Sequence, residues 1–269
     1  MAEMNLKANA KINLYLKVLG KRKDGYHSIK TVFQEVSLAD DIFIRETKSG
    51  IKIFCDKKGI PTGRKNLAYV AAELIKKSSN TCGKGVEIKI KKNIPAGAGL
   101  GGGSADAAAV LKGLNSLWKL KFSKKRLAEI ASKIGADVPF FTYGGRCLGE
   151  GIGNKLTPLK IKKTQWYVIV KPPFEINTKF AYSLLTKSNK NDNIKKFANR
   201  FEDVVITLYP EIKKIKEKLV DYGAVFSLMS GSGSCVFGIA ENKKSGEKIK
   251  NRMKKHGYSV WLAHSIKAS

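Results

Sequence analysis

Acidic residues are scarce in this chain of 269 residues. It has 22 Asp and Glu against 51 Lys and Arg, which gives a formal net charge of +29 at pH 7. Such a charge favours anionic partners, among them nucleic acids and nucleotides. The basic residues are spread along the whole chain, without a basic tail or the aromatic pattern of an RNA-binding sheet. We therefore expect no nucleic-acid partner. Exposed lysines without a binding role explain most of the charge as well as an anionic partner does.

Cysteine is also rare. Cys55, Cys82, Cys147 and Cys235 are far apart in the sequence, and none forms a Cys-x-x-Cys pair or has a histidine nearby. This spacing favours reduced thiols over disulfides or a metal site. No apolar run approaches the ~18 residues of a membrane span, and the first residues lack a signal-peptide pattern. We therefore expect a cytoplasmic protein with no membrane partner.

Glycine, in contrast, is concentrated in one segment. The alternating pattern at 86–90 predicts a strand before it, and the alanine-rich stretch 107–118 predicts a helix after it. Ser104 is a plausible N-cap, with Asp106 in the first helical turn. Glycines in such a turn let backbone N–H groups converge on an anion at the helix N-terminus. The predicted phosphate site consists of Pro95, Ala96, Gly97, Ala98, Gly99, Leu100, Gly101, Gly102, Gly103, Ser104 and Ala105.

Two common phosphate-binding motifs do not fit this segment. A dinucleotide-binding fold needs an acidic residue about 20 positions further on, where residues 119–124 carry lysines and no acid. A Walker A motif needs Gly-Lys-Ser/Thr, which does not follow the glycines. Glycines lose much conformational entropy on folding, and in a turn that binds nothing no function would offset that cost. The number of glycines therefore favours a binding role.

The first strand carries a second group of candidates. Residues 6–17 alternate apolar and polar side chains, which places Lys11 and Asn13 together on the polar face of a strand. After a turn at 20–25, Tyr26 and His27 open a second strand. By itself the pattern is typical of a solvated lysine and of a histidine that only hydrogen-bonds.

Polar residues at predicted turns and helix ends follow. The strand pattern at 31–45 contains a turn at 38–41, in which Asp40 and Asp41 are turn formers. Asn66 is placed to cap a helix. Asp137 lies between the end of a helix at Gly135 and an apolar strand start, and its context alone favours a capping or turn role.

The sequence becomes rich in Pro and Lys at 157–163. This change predicts a nucleotide-binding domain at 1–160 and a second domain at 161–269. Within the second domain, 186–196 is polar and predicts a loop, and 227–237 predicts two strands joined by a Gly/Ser turn.

Taken together, these motifs resemble the GHMP kinases. The segment 95–105 resembles their phosphate loop, residues 135–139 their second signature and 227–237 their third. Residues 10–14 and 22–27 resemble the branch that acts on 4-diphosphocytidyl-2-C-methyl-D-erythritol. The implied fold class is α/β (α+β), with an N-terminal domain like domain 2 of ribosomal protein S5 and a ferredoxin-like C-terminal domain.

The resemblance implies ATP-dependent phosphorylation of the 2-hydroxyl of that substrate, in the non-mevalonate isoprenoid pathway, with Mg²⁺ accompanying ATP. Its implied partners are the two small-molecule substrates. Asp137 would be the general base, and Lys11 would polarise the hydroxyl and the phosphoryl group. Asn13 would bind the polyol, and Tyr26 and His27 the cytosine, which needs a stacking face and polar edge contacts.

Three further expectations follow from the resemblance. An aromatic residue of the second domain would cover the cytosine opposite Tyr26, and its offset favours Tyr182 over Phe180. Asn66 would lie near the nucleotide. Many members have a second hydroxyl residue after the loop serine, where this chain has Ala105, so we assign no protein ligand for Mg²⁺.

Two alternatives stay open. A related GHMP kinase with another alcohol substrate would keep the loop and Asp137, but would have no reason for the sequence at 24–27. A basic nucleic-acid-binding protein would use the positive charge and bind oligonucleotides with a steep salt dependence. The sequence assigns no oligomeric state.

Overall fold

The computed structural model describes residues 2–79, 81, 83–185 and 198–268. The predicted loop at 186–196 and Cys82 lie outside the described residues. The elements in chain order are β1 (Glu3–Lys21), β2 (His27–Thr47), β3 (Ile51–Cys55), α1 (Leu67–Ser78), β4 (Gly85–Lys91), α2 (Gly102–Leu117), α3 (Lys124–Ser132), α4 (Val138–Tyr143), β5 (Arg146–Glu150), β6 (Lys155–Pro158), β7 (Trp166–Lys171), α5 (Thr178–Leu185), α6 (Glu202–Leu208), α7 (Pro210–Asp221), β8 (Phe226–Met229), β9 (Val236–Ala240), α8 (Lys243–Lys254) and β10 (Ser259–His264).

The chain divides into two compact units made of interleaved segments. Unit 1 consists of Met1–Ala10, Ala39–Ile94 and Gly101–Gly144, and unit 2 consists of Lys11–Leu38, Pro95–Leu100 and Gly145–Ser269. Strands β1 and β2 and the glycine-rich segment therefore contribute residues to both units. The domain boundary predicted near residue 160 stays a prediction.

In unit 1, helices pack beside a sheet. The second half of β2 pairs antiparallel with β4, and β4 pairs parallel with β3. Val86, Ile88 and Ile90 of β4 are fully or almost fully buried, as their alternation predicts. Helix α2 buries a run of alanines and packs against α1, α3 and α4, because small side chains allow helices to approach closely.

In unit 2, the first half of β2 pairs with β5, and β5 pairs with β6. A separate antiparallel sheet has the strand order β10-β7-β9-β8. Its strands and helices follow one another in the βαββαβ pattern of a ferredoxin-like domain, as expected. Helices α7 and α8 pack on this sheet, and its core includes Val168, Val170, Ile212, Ile215, Leu219, Val236, Ile249 and Met253.

Two predicted local structures were wrong. No turn interrupts β2 at 38–41. Asp40 and Asp41 stay in the strand because each carboxylate has a cationic partner there, Lys92 for Asp40 and Lys7 for Asp41. The residues after Asp137 form helix α4 instead of a strand. A short run that is apolar throughout does not distinguish the two by periodicity, and a proline in the first turn favours a helix.

The N-cap predicted at Ser104 was also wrong. Helix α2 begins at Gly102, and its N-cap is Gly101 in the left-handed conformation with φ 70°. Glycine reaches this conformation without the steric cost of a Cβ atom, so the helix starts earlier than its first hydroxyl residue indicates. Ser104 therefore lies inside the first turn.

Candidate active site

The first part of the glycine-rich segment, Pro95–Leu100, belongs to unit 2. A Cβ atom on Gly99 would lie 2.1 Å from the carbonyl oxygen of Ser230, and Gly99 has φ +72°, so only glycine fits there. The Ser230 hydroxyl donates to the Gly99 carbonyl at 3.0 Å, and the Cys235 amide donates to the Ala98 carbonyl at 3.2 Å. The turn between β8 and β9, which carries the third signature, thus holds this part of the segment.

The second part of the segment forms the N-terminus of α2 in unit 1. The Ala105 amide donates to the Gly101 carbonyl at 2.9 Å, which closes the first helical turn. The N–H groups before Ala105 have no acceptor within a helix, and the N-cap residue, Gly101, makes no side-chain capping bond to them. This helix end carries the positive end of the helix dipole, which favours an anion.

Lys11 is buried on β1, with 4% of its surface exposed. Its ammonium donates to Asn13 Oδ1 at 2.7 Å, and Asn13 Nδ2 donates to Thr31 Oγ1 at 2.8 Å. The Lys11 amide donates to the Leu100 carbonyl at 3.0 Å, next to the end of the glycine segment's first part. The structure thus brings Lys11 and Asn13 together, and Lys11 is not the solvated lysine that is typical of such a strand pattern.

The structure brings together some of the residues that are predicted to bind the cytosine. The His27 ring stacks on Tyr182 with centroids 4.7 Å apart and planes at 22°, and Tyr182 meets Phe201 edge-on at 4.9 Å. His27 Nε2 is buried and has no hydrogen-bond partner among the described residues. Phe180 is 42% exposed. The structure therefore pairs His27 with Tyr182, and the choice of Tyr182 as the cytosine ring stays a prediction.

Tyr26 lies in the turn between β1 and β2 and is 58% exposed. The Arg22 guanidinium pairs with the Asp24 carboxylate at 2.8 Å, and Asp24 Oδ1 accepts a hydrogen bond from the Tyr26 amide at 3.1 Å. These contacts fix the backbone that presents the Tyr26 ring. Burial, together with the charge of Lys21, lowers the pKa of His27, so its ring is neutral at pH 7 and offers one donor and one acceptor.

Asn66 caps α1, as predicted. Its Oδ1 accepts from the Ala68 amide at 2.9 Å, and its Nδ2 donates to the Pro61 carbonyl at 2.7 Å. The side chain is therefore committed to local backbone. A role of Asn66 near the nucleotide stays a prediction.

Asp137 is half-buried and directly precedes α4. Among the described residues its carboxylate makes no capping hydrogen bond to that helix. Asp137 lies in a turn, so of the capping and turn roles that its sequence context favours, the structure shows the turn. Asp137 belongs to unit 1 and Lys11 to unit 2. Their predicted cooperation as base and cation stays a prediction.

The sequence analysis missed a buried ionic cluster at the base of α2. The Lys92 ammonium pairs with Asp40 and, at 2.8 Å, with Asp106. Asp40 Oδ1 also accepts from the Asn93 and Ile94 amides at 2.6 and 2.8 Å. Asp106, an acidic residue inside the alanine run of a buried helix, could have indicated such a cluster. Nothing in the neighbouring sequence indicated its partners Lys92 and Asp40.

Within the described ranges, no three His, Cys, Asp or Glu side chains are grouped in a way that could hold a metal ion. Among the described residues, Cys55, Cys147 and Cys235 form no disulfide. No helix in the part of the chain that the structure describes is long and apolar enough to cross a membrane.

Comparison with known families assigns this fold and site to a class. Residues 66–145 match the GHMP kinases N terminal domain, and residues 182–259 match the GHMP kinases C terminal domain. The crystal structure of homoserine kinase from Cytophaga hutchinsonii has the same fold, with a TM-score of 0.77 at 20% identity over 100% of this chain and 96% of that one. The chain is thus a GHMP kinase.

Closer relatives narrow the class. The 4-diphosphocytidyl-2-C-methyl-D-erythritol kinase of Clostridium botulinum (strain Loch Maree / Type A3) is 44% identical over 97% of this chain and 99% of its own. A crystal structure of 4-(cytidine 5'-diphospho)-2C-methyl-D-erythritol kinase has a TM-score of 0.85 at 33% identity, covering 97% of this chain and 99% of that one. The chain belongs to the 4-diphosphocytidyl-2-C-methyl-D-erythritol kinase family.

Proposed function

We propose that this protein transfers the γ-phosphoryl group of ATP to the 2-hydroxyl of 4-diphosphocytidyl-2-C-methyl-D-erythritol, in the non-mevalonate isoprenoid pathway, through the residues predicted above. Identity to kinases of that name over nearly the full chain supports the reaction. The observation that carries the residue assignment is the buried Lys11 ammonium, bonded to Asn13 and adjacent to the backbone of Leu100. Removing an ammonium from water on folding costs free energy. A buried ammonium is suited to stabilising a transferring phosphoryl group.

The segment 95–105 is proposed to hold the phosphates of ATP. Backbone amides at the N-terminus of α2 would donate to phosphate oxygens, and Asn66 would lie near the nucleotide. Mg²⁺ is proposed to arrive with ATP. In kinases this ion commonly keeps several waters and is bound by substrate phosphates and one or two carboxylates, and we assign no residue of this chain as its ligand.

The chemical step is proposed to use Asp137 and Lys11. Asp137 accepts the proton of the 2-hydroxyl, the hydroxyl oxygen bonds to the γ-phosphorus, and the bond from that phosphorus to the bridging oxygen of ADP breaks. Lys11 stabilises the charge on the transferring group. Asn13, held between Lys11 and Thr31, would present its remaining hydrogen-bonding capacity to the polyol.

The cytosine is proposed to bind at Tyr26, His27 and Tyr182. The exposed Tyr26 ring offers a stacking face, which is the usual way in which proteins hold a base. Neutral His27 can donate with one ring nitrogen and accept with the other, which suits the donor and acceptor edge of cytosine. The unpartnered, buried Nε2 supports a polar ligand at this position.

An acceptor panel tests the proposal. ADP release is measured with the cytidyl substrate, with its uridyl analogue, with homoserine and with no acceptor. We expect rapid release with the cytidyl substrate, weak release with the uridyl analogue, and none with homoserine or without an acceptor. Equal turnover with homoserine would favour the alternative GHMP kinase, and tight salt-dependent oligonucleotide binding without turnover would favour the nucleic-acid-binding protein.

A further inference from the structure

The buried ionic cluster lies directly beneath the first turn of α2. Gly102 and Asp106 are four residues apart, so they share one face of the helix. Lys92 Nζ lies 3.3 Å from the position that a Cβ atom on Gly102 would take, and 2.8 Å from Asp106 Oδ2. The cluster is therefore in contact with the first residue of the helix end that carries the anion site.

The cluster holds more negative than positive charge. Asp40, Lys92 and Asp106 have side-chain exposures of 0, 6 and 6%, so two carboxylates share one ammonium away from water. Asp106 Oδ1 has no hydrogen-bond partner among the described residues. An uncompensated buried charge is costly, and a proton on Asp106 removes it.

The protonation of Asp106 depends on few neighbours. Burial raises the pKa of Asp106 to about 7; the charge of Asp40 also raises it, and the charge of Lys92 opposes both. Helices α1, α3 and α4 pack on α2 as well, and the residues that they bury are uncharged, among them Ala68, Ala71, Leu127, Ile130 and Phe140. The charged groups that act on Asp106 thus come from β2 and from the residue after β4.

We propose that the Asp40–Lys92–Asp106 cluster couples the binding of ATP at the N-terminus of α2 to the uptake of a proton by Asp106. The triphosphate brings several negative charges to the helix end that the cluster contacts. Negative charge nearby disfavours an ionised carboxylate and favours its acid form. The proton comes from solvent and binds to the Asp106 carboxylate. This inference rests on the proposed ATP site.

The expected size of the effect follows from linkage. If bound ATP raises the pKa of Asp106 from about 7 by about one unit, about half a proton is taken up per nucleotide at pH 7.5. The Kd for ATP then rises on the order of fivefold to tenfold between pH 6 and 8.5, because the proton is progressively lost from Asp106.

Calorimetric titration with Mg-ATP at pH 7.5, in two buffers of different ionisation enthalpy, measures the proton uptake. Asp106→Asn removes the titrating group and leaves Lys92 paired with Asp40, so its remaining uptake or release belongs to ATP itself. The matched control is Asp41→Asn on β2, next to Asp40. Lys7 lowers the pKa of the Asp41 carboxyl and keeps it ionised over the pH range of the titration. We expect uptake by the wild type and the control, and loss of that uptake in Asp106→Asn.

Mg-ATP binding without proton uptake in the wild type, or equal uptake in Asp106→Asn, would overturn the inference. No binding of Mg-ATP at all would instead contradict the proposed function. If Asp106→Asn does not fold, carbon NMR of the wild type labelled in its aspartate carboxyl groups decides. One carboxyl must titrate near pH 7 and shift to higher pH with Mg-ATP, and no such resonance would refute the coupling.

Discussion

The substitution Gly99→Ala tests the packing that shapes the glycine-rich segment 95–105, which we propose binds the phosphates of ATP. The new Cβ atom would lie 2.1 Å from the carbonyl oxygen of Ser230, more than an ångström inside ordinary contact distance. Backbone on both sides of this contact must separate to relieve it. That movement would break the hydrogen bonds from the Ser230 hydroxyl to Gly99 and from the Cys235 amide to Ala98.

The magnitude follows from these contacts. An L-residue at φ +72° costs roughly 1–2 kcal/mol, and each hydrogen bond lost costs about 0.5–1.5 kcal/mol. Some of this cost is relieved as the loop shifts, so we expect the free energy of unfolding to fall by roughly 2–4 kcal/mol. For a protein of this size the unfolding temperature would fall by roughly 5–10 °C. The Kd for Mg-ATP would rise at least ~10-fold, because the loop amides no longer converge.

Thermal melts and calorimetric titration with Mg-ATP measure both effects. The stability control is Gly103→Ala, since a Cβ atom there meets only the Leu67 side chain, at 3.8 Å. Because Gly103 is helical, alanine should leave stability unchanged or raise it by about 0.5–1 kcal/mol. Wild-type stability and ATP affinity in Gly99→Ala would refute the reasoning.

Three other predictions address phosphoryl transfer, cytosine binding and the buried ionic cluster. Asp137→Asn should lower single-turnover phosphoryl transfer at least ~10²-fold with both substrates still bound; a near-normal rate would remove the general base from the mechanism. Tyr26→Ala should weaken binding of the cytidyl substrate by roughly 1–3 kcal/mol, the loss of one base stack, and calorimetry should show unchanged ATP affinity; an equal loss for ATP would contradict the assignment. Folding raises the pKa of Asp106 to about 7, so protonation of the Asp106 carboxyl stabilises the folded protein. That stabilisation is complete below the unfolded pKa and is lost as the pH rises through 7. Urea unfolding from pH 4 to 8 should therefore show the wild type losing up to about 4 kcal/mol relative to Asp106→Asn, and parallel curves would contradict it.

Several features of the fold and site could be predicted because they depend on neighbours in the chain. The cap at Asn66 needs only a side chain two residues before an amide. The glycine-rich turn and the paired strands around 227–237 depend on short-range backbone preferences. Lys11 and Asn13 share a strand face because the strand period is two residues. Each prediction required no knowledge of distant segments.

Other features depended on contacts between distant segments. Asp40 stays in a strand because Lys92 and two amides, more than fifty residues away, satisfy its carboxylate. Helix α2 begins at Gly102 because Gly101 can take the left-handed conformation, a choice that sequence preferences for hydroxyl caps do not indicate. Such choices are made by packing, which overrides local propensity.

The sequence by itself determined where this protein would have a glycine-rich turn before a helix, which strands would be half-buried and which residues were candidates for the reaction. Only the tertiary structure decided that Lys11 is buried and that Asp40, Lys92 and Asp106 share one ionic cluster. The physical reason is that secondary-structure preference and turn chemistry are properties of adjacent residues. Desolvation and ion pairing depend on which distant segments meet, and they set the charge that each side chain carries.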